Sequence, residues 1–307
     1  SGFSVSLSSD GSRVAIGAYA NDGVSGSNSG HVRIYNYTPS GTASWTQLGA
    51  DIDGEAAGDY SGNSVSLSSD GSRVAIGAHD NDGNGTNSGH VRIYNYTPSG
   101  TASWTQLGAD IDGEAVSDGS GFSVSLSSDG SRVAIGAYAN DGVSGSNSGH
   151  VRIYDYTPSG VTSWTQVSGD IDGEASDDQS GWSVSLSSDG SRVAIGATLN
   201  DGNGTDSGHV RIYNYTPSGT ASWTQLGADI DGEAAGDKSG RSVSLSSDGS
   251  RVAIGAYFND GVSGSNSGHV RIYNYTPSGT ASWTQLGADI DGEAAGDKSG
   301  RSVSLSS

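Results

Sequence analysis

The stretch SVSLSSDGSRVAIGA, residues 4–18, decides the fold. Its first half alternates serine with Val5 and Leu7, the period of a strand with one polar and one apolar face. Its second half, RVAIGA, is β-branched and apolar, and the DGS triplet between the halves is a tight-turn signal. Together they predict an antiparallel hairpin.

The stretch returns along the whole chain. The segment SGxSVSLSS begins at Ser1, Ser61, Ser120, Ser180, Ser239 and Ser299, with spacings of 60, 59, 60, 59 and 60 residues. The missing residue has one location: repeats 1, 3 and 5 carry NDGVSGSNSG, whereas repeats 2 and 4 carry NDGNGTNSG or NDGNGTDSG. An array grown by copying a two-repeat unit accounts for that alternation. The repeats span 1–60, 61–119, 120–179, 180–238 and 239–298, and 299–307 supplies the first strand of a sixth. After each hairpin come HVRIYNYT (31–38) and SWTQLG (44–49), separated by PSGT, which predict a second hairpin. No stretch has a 3.6-residue apolar period, so each repeat predicts four short strands in one antiparallel sheet. Val5, Leu7, Val14, Ile16, Val32 and Ile34 then need a neighbouring sheet to cover them. The expected fold is all-β: tandem four-stranded antiparallel β-propeller-type blades, one domain built of repeats, in a closed five-bladed ring or an open spiral array that could extend into a filament.

Composition narrows the chemistry. The 307 residues carry a net charge of −20 with 50 Gly, no Cys and no Met. Disulfide and thiolate chemistry are thereby excluded, and a phosphate backbone, which is bound through clustered Lys and Arg, is an unsuitable partner. No apolar run approaches the roughly 20 residues of a membrane-spanning helix. The Ser/Thr/Gly-rich, acidic, cysteine-free composition suits an extracellular or cell-surface protein.

The acids gather in one connector. DIDGEAAGDYSG (51–62) places Asp51, Asp53, Glu55 and Asp59 within twelve residues, and the sets Asp110, Asp112, Glu114, Asp118; Asp170, Asp172, Glu174, Asp178; Asp229, Asp231, Glu233, Asp237; and Asp289, Asp291, Glu293, Asp297 repeat it. Ca²⁺ takes six to eight oxygens from carboxylates and loop carbonyls, so these are candidate metal ligands and Ca²⁺ the candidate cofactor. The EF-hand pattern is not met, since aligning Asp51 and Asp53 with its third and fifth positions puts Tyr60 at the twelfth. The other reading is a connector whose Asp side chains accept backbone N–H groups.

The run GEAAGDYSGNSVSLSSDGSRVAIGA (54–78), followed by GHVRIYNY (89–96), resembles the FG-GAP repeats of integrin-type β-propellers, and the likeness recurs across the chain. The resemblance implies propeller blades and a calcium loop between the first two strands. That place holds only SSDGS here, so the calcium site does not carry over. Seven blades are usual in the family, against five copies and one strand here.

Tracing strand directions puts loop 19–30 and connector 50–62 at one end of each blade, with the DGS and PSGT turns at the other. The copies differ chiefly at three places on the acidic end: Phe3/Asn63/Phe122/Trp182/Arg241/Arg301, the pair after AIGA (for example Tyr257 and Phe258), and Tyr60/Gly119/Gln179/Lys238/Lys298. Drift at loop tips and a partner-contacting surface both predict that pattern. His31, His90, His150, His209 and His269 start the third strand and read as half-exposed strand residues, while the tryptophans of strand 4 read as blade packing. Candidate glycosylation sequons fall at Asn36, Asn84, Asn95, Asn203, Asn214 and Asn274. Because near-identical repeats offer no distinctive catalytic set, the sequence predicts no enzyme. It predicts a non-catalytic structural or adhesion scaffold, stabilised by calcium, with a protein or glycan partner at the acidic face or self-association between arrays. A ligand- or glycan-binding propeller, and a hydrolase using the loop face, are the alternatives.

Overall fold

The structure, a computed structural model, describes residues 1–39, 41–98, 103–158, 163–218, 220–277 and 282–306. The PSGT turns fall partly outside the described residues. In the first blade β1 (Val5–Leu7), β2 (Arg13–Ala18), β3 (His31–Thr38) and β4 (Ser44–Gln47) pair in that order, each antiparallel to the next. The expected four strands are present, and a fifth is added: β5 (Ile52–Asp53) lies inside the acidic connector and pairs with the start of β3, His31 opposite Asp53 and Val32 opposite Ile52. It takes the half of the β3 edge that β4 leaves open, because β4 covers only Tyr35–Thr38. The same five-stranded sheet recurs in all five repeats.

By contacts the chain divides into two compact units, residues 1–137 with 153–166, and residues 138–152 with 167–307. In the first unit, blades stack face to face. Ala15, Val32, Ile34 and Ile52 of one blade pack on Val65, Leu67, Val74, Ile76 and Tyr94 of the next, with Trp104 against this core. The Trp104 indole N–H also donates to the Leu48 carbonyl at 2.8 Å, and Trp164 does the same to Leu107. Regular tryptophans are therefore blade joints, as the sequence suggests. The second unit repeats the arrangement, with Ala194, Val210, Ile212 and Ile230 against Val243, Leu245, Val252 and Ile254, and Trp283 donating to Leu226.

The serines of SVSLSS have a role that alternation alone does not reveal. The first strand of each blade is a sheet edge, with N–H groups that face away from its only strand partner. Ser4 and Ser6 hydroxyls accept the Val65 and Leu67 N–H groups of the next blade at 3.0 and 2.9 Å. Ser66 does so for Leu126, Ser185 for Leu245 and Ser244 for Leu305. An otherwise open edge is thus satisfied by the neighbouring blade. Gly77 shows how tight the joint is: a Cβ there would collide with the backbone carbonyl of Gly121 in the next repeat.

Candidate functional site

Within each unit, blade joints of the acidic end gather one histidine, one arginine and carboxylates from two successive connectors. In the first unit His90, the first residue of the second blade's long strand, is 1 % exposed. Its Nδ1 lies 3.8 Å from Glu55 Oε2 of the preceding connector and 3.8 Å from Asp110 Oδ2 of its own. Two residues on, and therefore on the same strand face, Arg92 reaches Glu55 Oε1 at 3.3 Å and donates to the Asp53 carbonyl at 2.8 Å. Gln106 Nε2 donates to Asp110 Oδ1 at 2.5 Å and so fixes that carboxylate. His90 Nδ1 has no hydrogen-bond partner although it is buried. In the second unit the same set recurs as Glu174, His209, Asp229 with Arg211, and as Glu233, His269, Asp289 with Arg271. Nδ1 of both histidines is again buried and unbonded.

The first blade has no preceding Glu in the chain described, and its arginine behaves differently. Arg33 turns to its own Asp51, with bonds of 2.9 and 3.1 Å, beside His31 and Asp53. That guanidinium holds the Asp51 carboxyl below the usual range.

Burial sets the protonation of the site. Desolvation, helped by the Arg92 charge, pushes His90 down to about 4, and His209 beside Arg211 likewise goes to about 4. Both imidazoles are neutral at pH 7, with a lone pair available to a ligand-seeking cation. Burial raises the Glu55 and Glu174 carboxyls despite the adjacent arginines. One imidazole nitrogen and two carboxylate oxygens lie mutually within 4.8 Å in each group. Donors about 2.0–2.2 Å from a tetrahedral cation would stand roughly 3.3–3.6 Å apart, so side-chain shifts of up to about an ångström would close the set on a divalent ion. Glu55 is 45 % exposed, which leaves the group open to solvent on one side.

The connector acids thus divide by task. Asp51, Asp110, Asp229 and Asp289 take the strand-4 glutamine amide, and Asp170 lies 3.8 Å from His150. Asp53, Asp112, Asp172, Asp231 and Asp291 end the short fifth strand. Asp59 is 3 % exposed and caps the connector turn, accepting from Glu55 N–H, Ala56 N–H and the Asn81 amide. Asp118, Asp178, Asp237 and Asp297 cap their turns in the same way. Sequence reading missed the histidine, the arginine and the glutamine. Its available signal was the polar His-x-Arg pair on one face of a strand, interleaved with the apolar Val-x-Ile of the other.

At the place of the family's calcium loop, Asp10 Oδ1 accepts from the Ser8 hydroxyl and the Ser12 N–H, and among the described residues no other carboxylate groups with it, so the residues there do not fit the ion. Among the sequons, Asn84 and Asn203 commit their amides to two connector carbonyls each, at 2.8–2.9 Å. A glycan there would displace those bonds.

A cleft adjoins the joint. One of about 370 Å³ is lined by Asp110, Ile111, Asp112, Tyr154, Ser163 and Trp164, and its counterpart of about 240 Å³ by Asp51, Ile52, Asp53, Tyr94, Ser103 and Trp104. An aromatic wall opposite two carboxylates suits a ring bearing hydroxyls: C–H faces lie on the indole and O–H groups donate to the acids.

The variable positions are not scattered. In the first unit Phe3, Tyr19, Tyr60, His79 and Phe122 form a run of ring contacts with centroids 4.6 to 5.8 Å apart. In the second, Arg241 lies over Trp182 at 4.8 Å and over Tyr257 at 5.5 Å, while Lys238 and Lys298 lie over Phe258.

Tandem five-stranded antiparallel sheets with polar joints at one end define an array of β-propeller-type blades. The chain carries FG-GAP repeats: residues 51–94, 170–213 and 229–273 match that repeat family. No curated protein matches the sequence. Among solved structures, the chain is similar to a candidate 6-phosphogluconolactonase from Bacteroides uniformis, with TM-score 0.59 and 14% identity over 94% of this chain and 71% of that one. It is also similar to the periplasmic gluconolactonase of Pseudomonas aeruginosa, with TM-score 0.54 and 15% identity over 95% and 70%. Hydrazine synthase of Kuenenia stuttgartiensis follows, with TM-score 0.53 and 14% identity over 92% and 66%. These likenesses are of fold. They overturn two expectations, the non-catalytic adhesion or structural scaffold and the absence of enzyme activity, since the fold neighbours include lactonases. The physical error lay in equating similar repeats with a lack of chemistry: stacking brings an imidazole and two carboxylates from separate segments to one joint.

Proposed function

We propose that the chain is a propeller hydrolase that opens a polyhydroxylated cyclic ester at its blade-joint clefts with the help of a divalent cation. The observation that carries this reading is the double role of Asp110, which lines the aromatic-walled cleft and also stands 3.8 Å from the buried His90. The substrate ring lies against Trp164 and Tyr154, and Asp112 accepts its hydroxyls. Glu55, His90 and Asp110 would hold the cation, which would supply Lewis-acid polarisation of the ester carbonyl and a more acidic water. Gln106 and Arg92 hold the two carboxylates in place. Water oxygen bonds to the carbonyl carbon, the ring C–O bond breaks, and the ring oxygen leaves as a hydroxyl. The new carboxylic acid releases one proton to solvent.

The fold neighbours support the substrate class, as two are lactonases in name. The test is acid release from glucono-δ-lactone in a pH-stat, with chelator-treated protein reloaded with Zn²⁺, Mn²⁺ or Ca²⁺. Turnover above the spontaneous rate is expected with at least one ion, falling at least tenfold in Glu55→Gln or Asp110→Asn if that joint predominates. A rate equal to that of the protein-free buffer with every ion refutes the proposal.

A further inference from the structure

We propose that the second unit carries one binding site for a small organic anion with a flat ring, formed by Lys238, Arg241, Lys298, Trp182, Tyr257 and Phe258. The site shares no residue with the joint clefts described above, and its failure would leave the hydrolytic reading untouched.

The argument begins with where the cations are. Of 14 Lys and Arg, ten are the two arginines that every repeat carries. The other four are Lys238, Arg241, Lys298 and Arg301, and they include both lysines of the chain. In a chain with 34 acids these four would be expected to find carboxylates. Among the described residues none of them makes an ion pair. Instead Lys238 and Lys298 converge on one ring, 5.6 and 4.9 Å from the Phe258 centroid. Phe258 stacks on Tyr257 at 4.0 Å, and Arg241 lies 5.5 Å from the Tyr257 ring and 4.8 Å from that of Trp182. Arg241 Nε is buried with no acceptor, and burial, aided by the Arg301 charge, lowers the guanidinium's affinity for a proton although the Tyr257 hydroxyl partners it. Like charges held over aromatic faces, with no carboxylate at ion-pair distance among the described residues, form a site missing its counter-ion.

The identity of the residue at one backbone position also sets this place in the array apart. Lys238 and Lys298 have φ of 54° and 57°, at the position where the second repeat has Gly119 with φ 63° and the first and third have Tyr60 and Gln179 with φ 54° and 58°. Glycine adopts that region without penalty and lysine does not. The first unit places Tyr60 there, and its ring run has no Lys or Arg in it. The charge is therefore a property of one place in the array. Carboxylate and phosphate share the chemistry these cations recognise, and the rings select an anion with an aromatic or similarly flat body.

The experiment is titration calorimetry of the whole chain at low salt with phenyl phosphate, benzoate and inorganic phosphate. Phenyl phosphate or benzoate should bind at one site per chain, at least tenfold more tightly than inorganic phosphate, and whichever is tighter identifies the acid group. Lys238→Gln with Lys298→Gln, both at accessible positions, should weaken binding at least tenfold and leave the melting temperature near that of the parent. Arg251→Gln, a repeat arginine, should leave binding unchanged. No binding of any probe, binding unaffected by the double lysine change, or a stoichiometry that follows the number of repeats would overturn the proposal.

Discussion

Replacing Ser66 with alanine tests whether the first-strand serines hold the array together. The Ser66 hydroxyl accepts the Leu126 N–H at 2.9 Å, and Leu126 is 7 % exposed, so no water can readily replace the lost acceptor. A buried donor left unsatisfied costs about 1–3 kcal/mol. Ser185→Ala removes the equivalent bond to Leu245 in the second unit, and the double variant should lose about 2–6 kcal/mol, because sites that share no partner add. Urea unfolding followed by circular dichroism reads the total. Amide hydrogen exchange locates it, since the Leu126 segment should lose protection in the first variant and the Leu245 segment in the second. Serine-to-threonine at either position keeps the hydroxyl and should restore most of the loss. If Leu126 exchanges at the parental rate in Ser66→Ala, the hydroxyls are ordinary surface groups and the reasoning fails.

Further outcomes follow from the same geometry. Gly77→Ala drives a Cβ into the Gly121 carbonyl and should destabilise by at least about 2 kcal/mol in the same unfolding assay, the scale of an overpacked core; a neutral result would mean the joint has slack. Lys238→Gly relieves a left-handed lysine and should stabilise by about 1 kcal/mol while weakening the anion site, a pairing that a purely structural lysine would not give. In chelator-treated protein, His90 and His209 titrate near 6.5 unfolded but at about 4 folded. The unfolded chain therefore takes up their protons first, so their stability is present above pH 6.5 and is lost as the pH falls toward 4. The pair should cost about 2 kcal/mol by pH 5.5, partly offset at lower pH by the raised carboxyls of Glu55 and Glu174, and His90→Asn with His209→Asn should flatten the melting-temperature profile over that range.

The strands were legible because Val5, Leu7, Val14 and Ile16 keep a strict period of two, and because the DGS turns mark the first hairpins. Ile52 and Asp53 were not, since two residues carry no period and only the free half of the β3 edge makes them a strand. Candidate ligands were found where acids cluster, yet Asp59 proved to serve the backbone, and Glu55 meets a histidine that lies 35 positions further along the sequence. His90 read as half-exposed because a strand end usually is; stacking of the neighbouring blade on its polar face buries it. The variable positions were visible as a pattern of difference, but contact between Arg241 and Trp182, separated by a full repeat, needs the stacked geometry.

Glu55 meets His90 and Arg92 only because one repeat ends against the next. The inheritable unit of the site is accordingly the boundary between copies. A recombination event that inserts one more repeat creates a complete new His–Glu–Asp set without a single point mutation, and excision of one repeat removes a set while rejoining the flanking halves in register. Such a gene can change its number of sites in one step, by whole copies, while each surviving site keeps its geometry.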